Sequence, residues 1–359
     1  MLITHVVVAA LIAQSPCDGT WSQASAEGHG SVAIGYDPVR RRILTAADNA
    51  IWEYDGATWT ARTTFSGGSA QSMCYDPARQ TMYIFGPWGY DDKLWTYHCP
   101  TATLTLVSDN VIGGRDYPAI AFDTVRDRLV VHGGYSGSSL LADTWEWNPG
   151  TNTWQSFGNS PIGPRYAHRM VYDKARGQSV LHGGYYYFNR NDTWTWNGST
   201  WTQLPSTGPA RYVFNMLYDA RRGRTVLHGG TTCCGEVEYA STWVLEGNTW
   251  VQCGVAGAPR GYANWAHDES RDVYVLAGGY GPTPSGRQWI PATNEYVPPS
   301  LCVADVTDDG VVTSADLGLL LAAWGSVDPA FARFDLDRDG AIGQADLGVL
   351  LAQWGPCPN

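Results

Sequence analysis

Oxygen-bearing side chains recur at a fixed spacing near the end of the chain, and the spacing suits a hard cation. Asp305-Val306-Thr307-Asp308-Asp309-Gly310 leads on to Asp316, and Asp335-Leu336-Asp337-Arg338-Asp339-Gly340 leads on to Asp346. Asp305, Thr307, Asp309 and Asp316 fall at loop positions one, three, five and twelve, as do Asp335, Asp337, Asp339 and Asp346 in the second loop. Calcium takes about six to eight oxygens, and glycine at position six permits the turn that wraps backbone around the ion. The pattern predicts two bound Ca2+ ions, the first held more weakly because Thr307 carries no charge. Each loop enters an apolar segment in which Leu317, Leu320, Leu321 and Trp324, or Leu347, Leu350, Leu351 and Trp354, recur at helical spacing. Gly325 and Gly355 stand where a helix C-terminal glycine is expected. The two loop-helix units should pack these apolar faces together.

Both loops close with Asp, and a single helix follows each. On these residues the segment 302–359 resembles a type I dockerin domain, a calcium-dependent plug. The resemblance implies docking onto a cohesin-like or other cell-surface protein, with Ser314-Ala315 and Gln344-Ala345 at the positions that select the partner. Cys302 and Cys357 bracket the segment and are expected to clasp its ends.

The opposite end reads as an export signal. Residues 1–15 are apolar except for a few positions, too short for a membrane span, and end in Ala13-Gln14-Ser15. A secreted, extracellular protein is expected, and eight cysteines agree with disulfides. Cys74 and Cys99 lie within one repeat and are candidates for a second bridge; Cys17, Cys233, Cys234 and Cys253 remain, with a bridge from Cys233 or Cys234 to Cys253 as one reading. The net charge is −11, of which −7 falls within residues 302–357. The acidity is therefore mostly that of the loops. No basic footprint for nucleic acid and no membrane span is apparent.

Between these ends the chain repeats itself. An aromatic-Asp-x-x-Arg step occurs at Tyr36-Asp37 with Arg40, Tyr75-Asp76 with Arg79, and Phe122-Asp123 with Arg126. It returns at Tyr172-Asp173 with Arg176, Tyr218-Asp219 with Arg222, and His267-Asp268 with Arg271. Downstream comes an apolar run ending in a glycine doublet, as in His132-Gly133-Gly134, His182-Gly183-Gly184, His228-Gly229-Gly230 and Ala277-Gly278-Gly279. A Trp-bearing strand such as Asp143-Thr144-Trp145 follows, and a turn such as Asn197-Gly198-Ser199-Thr200 opens the last strand at Trp201. Six units of four short antiparallel strands result, and radial stacking buries both faces of each sheet.

Glycine doublet, aromatic and spaced Trp resemble kelch repeats, as in the central domain of galactose oxidase. The resemblance implies a β-propeller over residues 17–297. Six blades are expected, with seven as the alternative, followed by linker 298–301 and a small α-helical calcium-binding domain over 302–359. Asp18-Gly19-Thr20-Trp21 looks like an orphan fourth strand that would complete the last blade and remove the open edges.

His132, His182 and His228 occupy equivalent places on equivalent strands, one per blade, so they argue for packing rather than one metal site. No catalytic constellation stands out, and no catalysis is expected. The connections between blades are more suggestive. Arg115 with Tyr117, Arg165 with Tyr166 and His168, Arg211 with Tyr212, and Arg260 with Tyr262 would ring one mouth. Trp88, Tyr135 and Tyr185 would be added from the loops after the glycines. Aromatic faces with Arg donors suit carbohydrate. The expected function is a secreted, non-catalytic propeller that binds carbohydrate or protein and carries a docking module. A polysaccharide lyase or hydrolase tethered by the same module is the alternative.

Overall fold

The computed structural model describes residues 20–29, 33–232, 237–254, 256–298, 302, 304–307, 311–326, 331, 334–336 and 341–357, apart from the side chains of 264 and 356. The chain divides into two compact units, Met1–Pro298 and Pro299–Asn359. The signal segment 1–15, Cys17, Cys233, Cys234, Asp309, Asp337 and Asp339 lie outside the described residues.

The larger unit is a β-propeller of six four-stranded antiparallel blades. Blades one to five span 34–64, 72–108, 119–159, 169–203 and 215–252. Blade six takes its three inner strands from Asn264–Asp268, Val273–Ala277 and Thr293–Val297, and its outermost from Thr20–Ser25. In that pairing Thr20 faces Val297 and Trp21 faces Tyr296, so the orphan strand closes the ring.

Local chemistry fixes each blade. In the first turn, Asp37 Oδ1 accepts from the backbone N–H of Val39 and Arg40, while Arg40 Nε donates to Oδ2 at 2.7 Å. The same Asp-to-backbone pattern recurs at Asp76, Asp123, Asp219 and Asp268, the Asx turn that the repeat implied. The Arg also ties the turn outward. Arg126 reaches Glu146 within blade three, while Arg79 and Arg222 reach Asp127 and Asp272 of the following blade. In the last hairpin, Asp55 and Asn197 accept from backbone N–H two and three residues on, with Gly56 and Gly198 at φ 100° and 97°.

The core lies between blades. Leu44, Ile51, Met82 and Tyr97 join blade one to two; Tyr83, Phe85, Leu129 and Val131 join two to three; further clusters continue round until Tyr54, Ile43, Val275 and Ala277 join six to one. Trp Nε1 atoms of the outermost strands reach back to a buried Thr of the preceding blade. Trp201 donates to Thr144 at 2.9 Å, Trp250 to Thr193 at 2.8 Å, and Trp59 to Thr293 at 2.9 Å.

Cys74 and Cys99 are not bridged; both are free thiols. Cys74 packs on the face of blade two towards blade three, and Cys99 lies in the cluster between blades one and two. The sheet itself separates them. Cys253 is disulfide-bonded.

In the smaller unit, α1 (Ser314–Ala322) and α2 (Gln344–Ala352) each follow a loop, and Val311–Val312 pairs with Gly355–Pro356. Cys302 and Cys357 are joined, with Cα atoms 5.5 Å apart. Leu320 and Leu350 are buried with Val306, Val312, Phe334 and Ile342, and Leu317 and Leu347 pack on this cluster. Only half of each expected stripe is inside. Leu321, Trp324, Leu351 and Trp354 are 50%, 41%, 53% and 49% exposed. The helices stop before the tryptophans, and the chain turns at Gly325 and Gly355 with φ 72° and 116°.

If the Trp-to-Thr bonds hold neighbouring blades, Trp201→Phe should cost about 1–3 kcal/mol by leaving Thr144 Oγ1 buried without its donor. Urea unfolding of the two proteins measures this; an unchanged midpoint would show that the bond is dispensable.

Candidate functional site

The four expected arginines sit behind the mouth, not in it. Arg115 and Arg165 are each 1% exposed. Arg115 forks onto Asp143 at 2.9 and 3.0 Å and donates to the Gly133 carbonyl; Arg165 forks onto Asp192 at 2.8 Å and donates to the Gly183 carbonyl. Arg211 donates to the Gly229 carbonyl and to Ser241 Oγ, and lies 4.0 Å from the Tyr239 ring. Arg260 reaches the Pro259 carbonyl and Asn294 Oδ1. These guanidinium groups are spent on the protein's own carbonyls and carboxylates. They brace blades and do not line a ligand site.

The glycine doublet has the same explanation. The second glycine's N–H donates to the carbonyl of the following Arg: Gly134 to Arg165, Gly184 to Arg211 and Gly230 to Arg260, at 2.8–2.9 Å. A Cβ on Gly133 would stand 2.7 Å from the Arg165 oxygen, and one on Gly229 2.5 Å from that of Arg260. Backbone passes too close there for any side chain.

Electrostatics follow the partners. Burial pushes Asp143 and Asp192 up, but the bound guanidinium groups more than reverse this and hold both below the usual carboxylate range. Arg211 has no carboxylate partner among the described residues, and burial brings it down to about 10.

The tyrosines do converge. Tyr117, Tyr166, Tyr212 and Tyr262 form a closed circuit of ring contacts, with neighbouring centroids 5.8–6.4 Å apart. A chain of backbone hydrogen bonds runs with it, from Ala167 N to Tyr117 O, Val213 N to Ala167 O, and Tyr262 N to Val213 O. The equivalent residues are thus Tyr117, Ala167, Val213 and Tyr262, all at positive φ; Tyr166 and Tyr212 come from the position before. Trp88 stacks edge-on against Tyr117 at 4.3 Å, Tyr135 lies 6.2 Å and Tyr185 5.9 Å from Tyr166. Tyr280 continues the patch from Tyr262, and Trp289 from Tyr280. Two arginines not anticipated from the repeat join this surface. Arg190 lies 4.4 Å from the Phe188 ring and Arg287 4.5 Å from the Tyr280 ring. The sequence signal for Arg190 was its place after the run Tyr185-Tyr186-Tyr187-Phe188.

His168 belongs to the interior. It is fully buried, and its Nε2 lies 3.1 Å from His132 Nδ1. His182 and His228 each bond a Thr hydroxyl and a backbone carbonyl in their own surroundings. The strand histidines therefore serve packing, as their repetition implied. Among the described residues Asp91, Asp92 and Asp109 form an acidic cluster, but Asp92 accepts three backbone N–H bonds and Asp91 holds Lys93.

In the smaller unit, Thr307 Oγ1 lies 3.2 Å from Asp305 Oδ1 and 2.9 Å from Asp316 Oδ1. Asp316 also accepts the N–H of Thr307 and Thr313, and buried Asp346 accepts those of Leu336 and Gly343. The twelfth-position carboxylates thus draw each loop closed. Asp305, Thr307 and Asp316 are thereby brought together in the first loop, and Asp335 stands at the start of the second.

A Kelch motif matches residues 119–161, which is blade three. No curated protein matches the chain. Among solved structures, that of YjhT is similar, with TM-score 0.59 and 14% identity over 77% of this chain and 95% of that one. That likeness concerns the fold.

Two outcomes follow. Arg165→Met should cost about 3–5 kcal/mol, since it strands Asp192 in a half-buried site, whereas Tyr187→Ala, at a residue 79% exposed, should change stability by less than about 0.5 kcal/mol; denaturant unfolding reads both, and equal effects would refute the bracing role. Burial also lowers His132 to about 3 and His182 and His228 to about 4. Unfolded histidines titrate near ~6.5, so the unfolded chain binds protons first as pH falls. Stability is full above that value and drains away towards pH ~4. Thermal melts should show this decline, and His182→Gln should flatten it.

Proposed function

Starting from a six-bladed propeller with a Kelch motif, a fold that suggests a binding or structural role, we propose that this protein is a secreted, non-catalytic carbohydrate-binding propeller. The observation that carries this is the continuous aromatic surface at one end, from Trp88 through the tyrosine circuit to Tyr280 and Trp289. Sugar rings present C–H faces that stack on aromatic rings and hydroxyls that bond at their edges. Tyr90, Tyr187, Phe188, Tyr280 and Trp289 are solvent-exposed, and phenolic hydroxyls supply the polar edge. Arg190 and Arg287, rather than the buried arginines, are the cations of this surface.

The smaller unit is proposed to be a dockerin-like module that binds two calcium ions and docks onto a cohesin-like or cell-surface protein. Asp305, Thr307 and Asp316, with Asp309, would hold the first ion; Asp335, Asp337, Asp339 and Asp346 the second. Two observations support it. The closing carboxylates organise the loops, and Leu321, Trp324, Leu351 and Trp354 form matched exposed apolar pairs, one from each repeat. Exposed apolar residues in such matched positions suit a protein partner.

Glycan-array binding and reducing-end release, measured on the whole secreted chain, test the first reading. Binding without product release is expected, with Tyr280→Ala and Trp289→Ala lowering it about tenfold. Product release would favour a tethered enzyme, and no array signal would remove the carbohydrate assignment. For the second, calorimetry should show calcium uptake near two equivalents, with Asp335→Ala losing more affinity than Thr307→Ala because it removes a charged ligand. Absence of uptake would end the docking-module reading.

A further inference from the structure

The innermost strands of all six blades enclose an axial cavity of about 290 Å³. Its walls are about equally polar and apolar, with Ile120, Met170, Met216 and Leu217 among the apolar residues. The tyrosine circuit precedes these strands. At their other end lie the turn residues Pro38, Pro77, Thr124, Lys174 and Glu269, where the cavity meets the opposite face.

One charged side chain within this cavity is anomalous. Arg169 opens the inner strand of blade four, at the register position held by Ala119 in blade three and Asn215 in blade five. Among the described residues its guanidinium has one hydrogen bond, from an η nitrogen to the His168 carbonyl at 3.5 Å, and the other η nitrogen is buried without a partner. The bracing arginines Arg115 and Arg165 each grip a carboxylate; Arg169 grips none among the described residues. Among the described residues the single carboxylate on the cavity wall, Glu269, stands at the far end beside the turns. Burial brings Arg169 down to about 10, opposed only by the Tyr117 phenol. Arg169 as a whole is half-buried, and a half-buried charge without a counter-charge is still costly, so the fold tolerates it where a ligand supplies the missing half.

We propose that the axial cavity binds a small organic carboxylate, with the Arg169 guanidinium as its counter-ion and the apolar wall around its body. The planar fork of donors matches a planar carboxylate. One cation among methionine and leucine side chains suits a monoanion with a hydrocarbon portion; a phosphate dianion would need a second cation, and Lys174 lies at the far end. Entry is from the face of the Asx turns, at the opposite end of the cavity from the Tyr117 circuit, so this proposal does not rest on the carbohydrate reading.

Fluorine NMR of para-fluorobenzoate with the full chain tests it. Saturable line broadening is expected with Kd on the order of 1 mM or tighter, weakened at least about tenfold by Arg169→Met and changed less than about twofold by Lys174→Met. Without ligand, Arg169→Met should raise the melting temperature by about 2–4 °C, because it removes an uncompensated buried charge. No saturable binding, equal binding by Arg169→Met, or tighter binding of inorganic phosphate would overturn the proposal. So would a fall in melting temperature, which would mean the guanidinium already has a structural partner.

Discussion

Hydrogen bonds between Thr20–Ser25 and Thr293–Val297 join the beginning of the propeller to its end, and the remaining architecture depends on that closure. A four-stranded sheet leaves two faces to cover, and a row of sheets solves this only if the last meets the first. The inter-blade clusters continue without interruption through the junction of blade six with blade one, where Tyr54 and Val275 share a core. Trp59 donating to Thr293 repeats across that junction the bond that Trp201 and Trp250 make elsewhere. The seam is built like every other interface.

Polar couplings between blades explain why so much of the repeat looks functional in the sequence. Arg115 and Arg165 present fixed forks that satisfy both a carboxylate and the carbonyl of a glycine doublet. The following Arg carbonyl then receives the N–H of the second glycine. One residue thus braces its own blade through its side chain and the previous one through its backbone. Where the acid is replaced by Ser241, Arg211 leans on the Tyr239 ring instead. The η nitrogens of these side chains are committed to the blade, whereas Arg169, outside the scheme, keeps one free among the described residues.

The smaller unit answers a different constraint. Too few residues are available for a large core, so covalent and polar staples add what burial lacks. The Cys302–Cys357 bridge ties its ends, and Asp316 and Asp346 tie loop backbone to helix starts. Two helices of nine residues can bury one narrow stripe each. Leu320 and Leu350 take that place, and Leu321, Trp324, Leu351 and Trp354 remain outside.

Local interactions were legible in the chain itself. The aromatic-Asp-x-x-Arg steps, the Asn-Gly and Asp-Gly hairpins and the spaced tryptophans act within a few residues, so their spacing set the strand order and the strand that closes the ring, while leaving seven blades as the alternative to the six observed. Cys302 and Cys357 were readable for the same reason: little chain lies outside them. What faces what was not local. Cys74 and Cys99 share a blade yet point to opposite neighbours, because a sheet buries both faces. The arginines and tyrosines of the connections are adjacent in sequence, but packing turned the guanidinium groups into the blades that follow them and the phenol rings to the axis. Tertiary structure decided that division. Folding of each blade brings Asp143 and Asp192 against the arginines that precede it, and the ring of inner strands sets Arg169 on a cavity wall with no acid beside it among the described residues.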